Sequence, residues 1–283
     1  MDLDLEELRS VAVSVAADAA ALVVRVRSAA VTDVDTKSSE TDVVTAADRA
    51  SERFIRARLA ELRPGEPVFG EEEGGVGPGD RLSWVVDPID GTVNYLYGLP
   101  WYAVSVAAWW RGESVAAGVV EPVSGRVWSA ARGMGATLDS RPLRVSSADR
   151  LAVALIGTGF SYSATRRAWQ ARLATELVTR ARDVRRCGSA VLDLCSVAAG
   201  WLDGFVEHGL SPWDWAGGSL IAAEAGALLR VPTADGSDPD GLGADVTIAA
   251  APGIAAALHD LVRGVVSAGA GAGSAADGGP CGG

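Results

Sequence analysis

An apolar run, Trp84-Val85-Val86, stops at Asp87, and three positions later stands a second acid, Asp90, followed by Gly91-Thr92. A buried strand accepts an unpaired carboxylate far more readily at its end than in its middle. This stretch therefore marks where a strand leaves the core and puts two acids at its exit. Two structures satisfy it. Asp90-Gly91 is a strong hairpin signal, which makes the segment a tight turn. Pro88 opposes that reading, because it donates no ladder hydrogen bond and drives Asp87 into an extended conformation. The alternative is a cation site. With Asp90 returning to the side of Asp87 and the Ile89 carbonyl between them, three hard oxygen donors converge, as Mg²⁺ requires. Gly91 permits close approach of a ligand, and Thr92 opens a short helix whose N–H groups face an anion. Carboxylates about 4 Å apart repel by roughly 4 kcal/mol at an effective dielectric of about 20. Without a cation, one of them takes up a proton.

Other chemistries are poorly supplied. Only two histidines occur, His208 and His259, too few for a histidine-rich zinc site and a weak basis for a Ser-His-Asp triad. The three cysteines, Cys187, Cys195 and Cys281, have neither disulfide-framework nor metal-binding spacing. Cys187 and Cys195 read as small apolar packing residues, which suits a reducing cytoplasm. A formal net charge of -11 over 283 residues repels nucleic acid and anionic membrane at long range. No apolar stretch reaches membrane-spanning length. The acidic start MDLDLEELRS lacks the positive charge that opens a secretory signal. The expectation is a cytoplasmic protein without direct nucleic-acid or membrane binding. A phosphate ligand would need a local positive centre, which a bound metal supplies.

Along the chain, residues 3–30 read as a helix with Asp4, Glu6 and Glu7 complementing its first turn. After the polar loop TDVDTKSSETD, a second helix spans about 48–63, with Phe54, Ile55, Leu59 and Leu62 on one face and Arg53, Arg56 and Arg63 as its solvated side. PVFG is a short strand, Glu71-Glu72-Glu73 an acidic cluster, and GGVGPGDR a loop. WYAVSVAAWW, SVAAGVVEP and RVWSAARG form an antiparallel meander. From about residue 150 strands and helices alternate, which predicts an α/β second half. The predicted helices there cover 164–180, part of DVRRCGSAVLDLCSVAAG, the start of WDWAGGSLIAAEAGALLRV, and 253–264. The division is 1–147, 148–265 and a Gly/Ala-rich tail over 266–283 that reads as disordered.

Two further acids are placed to join the first pair. Glu71 follows a strand and a glycine in F-G-E-E, and Asp214 stands at a helix start in P-W-D-W-A-G, where an N-cap is the competing reading. G-E-E at 70–72, W-V-V-D-P-I-D-G-T at 84–92 and W-D-W-A-G-G at 213–218, in this order and separation, resemble the inositol monophosphatase family of Mg²⁺-dependent phosphatases. The resemblance spans about residues 5–262. It implies an α/β (α+β) fold: a layered αβαβα sandwich, with an antiparallel sheet in the N-terminal half and a mixed sheet in the C-terminal half. It implies two or three Mg²⁺ ions on Glu71, Asp87, the Ile89 carbonyl, Asp90 and Asp214.

By the same resemblance, Glu71, Thr92 and Asp48 orient the attacking water, and phosphate lies on the backbone of Asp90, Gly91 and Thr92. Gly188, Ser189 and Ala190 line the substrate, with Asp214 at its edge, and Glu207 accepts hydrogen bonds from inositol hydroxyls. Lys37 resembles a loop residue near the metals. Arg185 and Arg186 are read as a dimer contact or surface pair, with assistance to an anion as the alternative. Trp215 reads as core packing. Gly217, where many relatives carry Ala, lowers helix stability by about 1 kcal/mol. The implied reaction is hydrolysis of inositol 1-phosphate by metal-activated water, without a phosphoenzyme and with sensitivity to Li⁺. A small phosphorylated polyol as partner and a homodimer are expected. Histidinol phosphate, fructose 1,6-bisphosphate and adenosine 3′,5′-bisphosphate are rival substrates of the same frame. A regulatory role on the transcription machinery is the rival of another class.

Overall fold

Helix α1 (Leu5–Ala30) starts where Asp4 accepts the Glu7 N–H at 3.0 Å, and it buries a stripe of Leu8, Ala12, Val15, Ala16, Ala19, Ala20 and Val23. The small residues of that stripe bring the helix backbone close to the sheet beneath it. The computed structural model describes residues 3–31, 34–37, 43–75, 77, 79–233 and 235–274. Strands β1 (Val34–Thr36) and β2 (Val43–Thr45) make a two-stranded antiparallel ribbon leading into α2 (Ala46–Leu62). Residues 38–42 of the intervening polar loop lie outside the described residues.

The first large sheet comprises β3 (Val68–Gly70), β4 (Ser83–Asp90), β5 (Ala103–Trp110), β6 (Glu113–Val120), β7 (Val127–Ala131), β8 (Ala136–Leu138) and β9 (Arg141–Pro142), in that spatial order. The helix α3 (Thr92–Tyr97) joins β4 to β5. All neighbours run antiparallel except β3, which pairs parallel with β4. The expected purely antiparallel sheet is therefore mixed at one edge. The segment between Gly70 and Ser83 crosses back to begin β4 beside the start of β3, and such a return makes a parallel pair.

The second sheet has the order β11-β10-β12-β14-β13, built from β10 (Leu155–Thr158), β11 (Asp183–Arg185), β12 (Gly204–His208), β13 (Leu228–Arg230) and β14 (Val246–Ala250). Its β10 pairs parallel with β11 and β12, and β14 pairs antiparallel with β12 and β13. Four helices complete the chain: α4 (Ala164–Arg180), α5 (Ala190–Ala198), α6 (Pro212–Glu224) and α7 (Pro252–Ser274).

Three apolar cores define the layers. One joins α1 and α2 to the first sheet, one places α5 and α6 between the sheets, and one packs α4 and α7 on the second sheet. The order is thus αβαβα, as the family resemblance implies. Strand β5 shows why its sequence lacks polar alternation: Val104, Val106 and Ala108 face one core while Ala103, Ala107 and Trp109 face the other. A sheet buried on both faces wants apolar residues throughout.

The middle layer also accounts for the glycines of α6. A Cβ on Gly217 would lie 2.5 Å from Ser105 Oγ, and one on Gly218 would lie 2.8 Å from Leu194 Cβ and 3.0 Å from the Val191 carbonyl oxygen. The propensity lost at Gly217 is offset by packing that a larger residue would prevent. Gly218→Ala is expected to destabilise the protein by about 2 kcal/mol through overpacking, although Ala is the better helix former by about 1 kcal/mol. A rise in the denaturation midpoint would contradict that account. Trp215, as read from the sequence, is buried, with its ring 5.6 Å from that of Trp109.

Helix α7 continues to Ser274, ten residues beyond the expected end at 264 and into the segment read as a disordered tail. Val265 is buried and Val266 packs on the outer core, so apolar contact carries the helix past Gly264. Residues 275–283, with Cys281, lie outside the described residues. Cys195 is buried and Cys187 half-buried, both as free thiols. No described helix is long and apolar enough to cross a membrane.

Candidate active site

The Asp90-Gly91 hairpin does not form. All eight residues of β4 are buried, including Asp87 and Asp90, and the β4–β5 register shifts between those two acids. The irregularity turns both carboxylates to one place. Gly91 (φ 98°) then starts α3 in the left-handed region, and a Cβ there would lie 3.1–3.2 Å from the carbonyl oxygens of Trp101 and Gly188. Only glycine meets both demands.

Asp214 comes from the first turn of α6 and completes the group. Carboxylate oxygens of Asp87, Asp90 and Asp214 all lie within 4.8 Å of one another, an acidic cluster that can hold a metal ion. Asp87 Oδ1 accepts the Ile89 N–H at 3.0 Å, which shapes the D-P-I-D turn. Asp90 Oδ2 accepts from Ser189 Oγ at 2.5 Å and from the Val191 N–H at 2.8 Å, so it caps α5 across the interlayer gap. Asp214 Oδ2 accepts the Ser211 N–H at 2.6 Å. Ser211, rather than Asp214, is the N-cap of α6; Asp214 stands at the third helical position, where one oxygen closes a capping box while the residue still lines the cluster. Among the described residues, no ion pair reaches Asp87, Asp90 or Asp214.

Glu71 stands at the edge of this cluster in the turn after β3. Lys37 Nζ bridges Glu71 Oε1 at 2.8 Å and Glu72 Oε1 at 2.6 Å. Burial alone would lower the Lys37 pKa, but the two glutamates reverse that and raise it. Burial raises all four acids. Asp87 and Asp214 are pushed well up, first by burial and then by the charges of their acidic neighbours. Asp90 rises to about 6, burial being partly countered by the Ser189 and Val191 hydrogen bonds. Glu71 also rises by burial, against the opposing pull of Lys37. Such a group resists simultaneous ionisation without a cation.

On the opposite side, Thr92 Oγ1 lies 2.9 Å from Asp48 Oδ1 and 3.1 Å from the Ile89 carbonyl oxygen. Asp48 Oδ2 accepts both the N–H and the hydroxyl of Thr45, closing the start of α2. The T-A-A-D stretch thus caps a helix and aims the free oxygen of Asp48 at Thr92.

Lys37, Glu71, Asp87, Ile89, Asp90, Thr92 and Asp214 line a cavity of about 300 Å³ that also receives Gly188, Ser189, Ala190 and Glu207, while Asp48 is buried behind Thr92. The Ser189 side chain is buried against Asp90 and caps α5, so it supports the acid directly. Glu207 is buried, its pKa pushed up to about 8 by burial against a lowering by Arg186. Gly159 makes room for it, since a Cβ there would overlap the Glu207 carboxylate. Arg186 lines the cavity, whereas Arg185 pairs with Asp183 at 2.6 Å on the surface. The two arginines, taken together in the sequence, part company here.

Several polar residues in or behind the site were not legible in the sequence. Asn94 Nδ2 donates to the Trp101 and Cys187 carbonyls at 2.7 and 2.9 Å, tying α3 to the loop that carries Gly188. Asp193 lines the cavity with Oδ1 buried and unpartnered. Ser51 and Glu52 turn inward from α2: Ser51 Oγ donates to the Pro88 carbonyl at 3.1 Å. Arg56, expected in solvent, pairs with Glu52 at 2.7 Å. The available signal was the spacing Asp48, Glu52, Arg56, a four-residue polar repeat on one helix face.

Comparisons with known proteins cover nearly the whole chain. The model of the inositol monophosphatase family matches residues 4–267. An inositol-1-monophosphatase from Mycobacterium leprae is 52% identical over 278 residues, covering 91% of this chain and 94% of its own. The solved Mycobacterium tuberculosis SuhB superposes with a TM-score of 0.79 at 45% identity, covering 93% of this chain and 98% of that one. The Nus factor SuhB of Pseudomonas aeruginosa is 43% identical over 194 residues, covering 66% of this chain and 72% of its own.

Proposed function

The chain belongs to the inositol monophosphatase family, and from that premise we propose that it is a Mg²⁺-dependent phosphomonoesterase acting on inositol 1-phosphate. The observation that carries the reading is the acidic triad of buried Asp87 and Asp90 with half-buried Asp214, lining one cavity together with Glu71. The donors suit the ion: all are hard oxygens, four are carboxylates of raised pKa, and no lysine or arginine among the described residues forms an ion pair with Asp87, Asp90 or Asp214. Glu71, Asp87, the Ile89 carbonyl, Asp90 and Asp214 would hold Mg²⁺. When bound, two or three such ions acidify a water and offset charge on the phosphoryl and leaving oxygens.

The chain's own groups do the rest. Asp48 Oδ1 takes the Thr92 hydroxyl proton in a hydrogen bond, which leaves Thr92 Oγ1 turned as an acceptor toward a water in the cavity. Glu71 faces the same space and accepts the second water proton. The first N–H groups of α3, at Gly91 and Thr92, have no intrahelical partner and offer donors to phosphate oxygens. Glu207, in the wall of the same cavity, accepts hydrogen bonds from the polyol hydroxyls. Arg186 compensates the charge of that wall.

A phosphate-release panel with Mg²⁺ tests the reading. Inositol 1-phosphate is expected to give the highest kcat/KM. Glu207→Gln should raise KM for it about tenfold, with a smaller effect on a simple aryl phosphate that lacks those hydroxyls. A large preference for histidinol phosphate would overturn the substrate, and no Mg²⁺-dependent release from any phosphomonoester would overturn the enzyme. The similarity to the Pseudomonas aeruginosa Nus factor favours a second reading, a regulatory role on the transcription machinery. That role gains if a catalytically dead variant still supports the cellular phenotype. A homodimer, a cytoplasmic location and Li⁺ inhibition are part of the proposal and are read by sedimentation, fractionation and inhibition of the panel.

A further inference from the structure

Helix α2 carries a buried acid that touches neither the cavity nor the acidic triad. Glu52 is fully buried on the inward face of the helix, which it shares with Asp48, Ser51, Ile55 and Leu59. Its Oε2 accepts the N–H of Glu72 at 2.6 Å, and its Oε1 accepts the N–H of Glu73 at 3.0 Å. Arg56, one turn along, donates to Glu52 Oε1 at 2.7 and 2.9 Å and to the carbonyls of Val68 and Gly74 at 3.1 and 2.5 Å. One ion pair therefore grips both sides of the turn that presents Glu71. Gly70 leaves the space for it, because a Cβ at that position would overlap Glu52 Oε1.

A buried charged pair is weak evidence for stability, since desolvation opposes the attraction. Its persistence here calls for another explanation. The turn at 71–73 turns its N–H groups inward, away from any strand that could pair them, and a carboxylate is the acceptor with enough lone pairs to take two N–H groups and a guanidinium. We propose that Glu52, braced by Arg56, is the positioning residue that fixes the Glu71 turn and thereby sets the affinity of the site for a divalent cation. The stripe on α2 then has a division of labour. Asp48 holds Thr92, Ser51 holds the Pro88 carbonyl beside Ile89, and Glu52 holds the Glu71 turn. The helix organises both sides of the candidate metal site from behind.

This inference rests on the phosphatase reading for its meaning, and its test reads metal directly. Glu52→Gln keeps the size of the side chain but sets an amide N–H₂ against one of the two backbone N–H groups. Calorimetric titration of the metal-free protein with Mg²⁺ is expected to show a dissociation constant raised about tenfold, as for partners that orient metal ligands elsewhere. KM for the phosphomonoester at saturating Mg²⁺ should stay within about twofold. Gly70→Ala should reproduce the effect with Glu52 chemically intact, and it carries the test if Glu52→Gln does not fold. A merely structural role would lower the melting temperature and leave the metal affinity of the folded fraction unchanged, which sinks the proposal. An inactive wild type whose Mg²⁺ affinity still falls on mutation would instead sink the phosphatase reading alone.

Discussion

Replacing Asp90 by asparagine is expected to lower kcat/KM for the preferred phosphomonoester by roughly a thousandfold, within the range seen when one buried electrostatic group is removed from a transition-state site. The reason lies in what Asp90 faces. On one side it accepts from Ser189 Oγ and the Val191 N–H at the start of α5. On the other it faces Asp87 and Asp214. A carboxylate serves both sides, because each oxygen is an acceptor. An asparagine cannot. Its oxygen satisfies α5 and its N–H₂ then points at the cation, or the reverse holds and α5 loses its cap. Steady-state kinetics across a Mg²⁺ series would check the loss, and activity within tenfold of wild type would refute the assignment. Melting temperature should move the other way. Asp90 raises the pKa of Asp87, Asp214 and Glu71 by its charge, so its removal relieves repulsion. The metal-free variant should be at least as stable as the metal-free wild type, and Mg²⁺ should stabilise it far less.

How legible this was in the sequence depended on the range of the interaction. The strand ending in Asp87, the acids Asp90 and Asp214, and the helix start at Thr92 were readable because each is local: a strand end, a proline, a glycine, a capping position. The three motifs also carried the family resemblance, and with it the five-layer order. What local signals could not give was which partner a polar residue finds. Arg56 sits between Arg53 and Arg63 in a pattern that suits a solvated face, yet Arg53 alone of the three is exposed, while Arg56 reaches Glu52 and Arg63 pairs with Glu66 and Glu7. Ser189 was read as lining the substrate; it lines the cavity, and no local signal showed that its hydroxyl also donates to an acid 99 positions away in the chain. The parallel placement of β3 followed from the path of the 71–82 connection, which no periodicity encodes. Helix α7 outran its expected end because Val265 and Val266 meet the outer core, a tertiary contact that overrides a glycine-rich composition.

Without metal, the protein is expected to lose stability as the pH rises from 7 to 9, the reverse of what hydrogen-bonded surface carboxylates produce. Unfolded Asp and Glu ionise near pH 4. In the folded state burial holds Glu207 up to about 8 and pushes Asp87 and Asp214 well above their ordinary range. The folded chain therefore binds more protons than the unfolded chain across this window, and the linkage slope is negative. The stabilising, protonated forms are fully present below the unfolded values and vanish as the pH passes the folded ones. His208 and His259, lowered by burial, act in the opposite sense. Unfolded histidine titrates near 6.5, so that contribution is largely complete by pH 7. Each excess proton contributes about 1.4 kcal/mol per pH unit. Through Glu207 alone the loss between pH 7 and 9 is on the order of 1 kcal/mol, or a few degrees in melting temperature for a chain of this size, and the raised Asp87 and Asp214 act in the same sense. Mg²⁺ at millimolar concentration should reverse the slope, because it binds the deprotonated acids and its stabilisation grows as protons leave. Calorimetric melts at pH 7, 8 and 9, with Mg²⁺ and with chelator, would separate the two regimes. A metal-free melting temperature that stays flat or rises over that range would mean that the acids of the cavity ionise without a cation, and the electrostatic case for a metal clamp would fall with it.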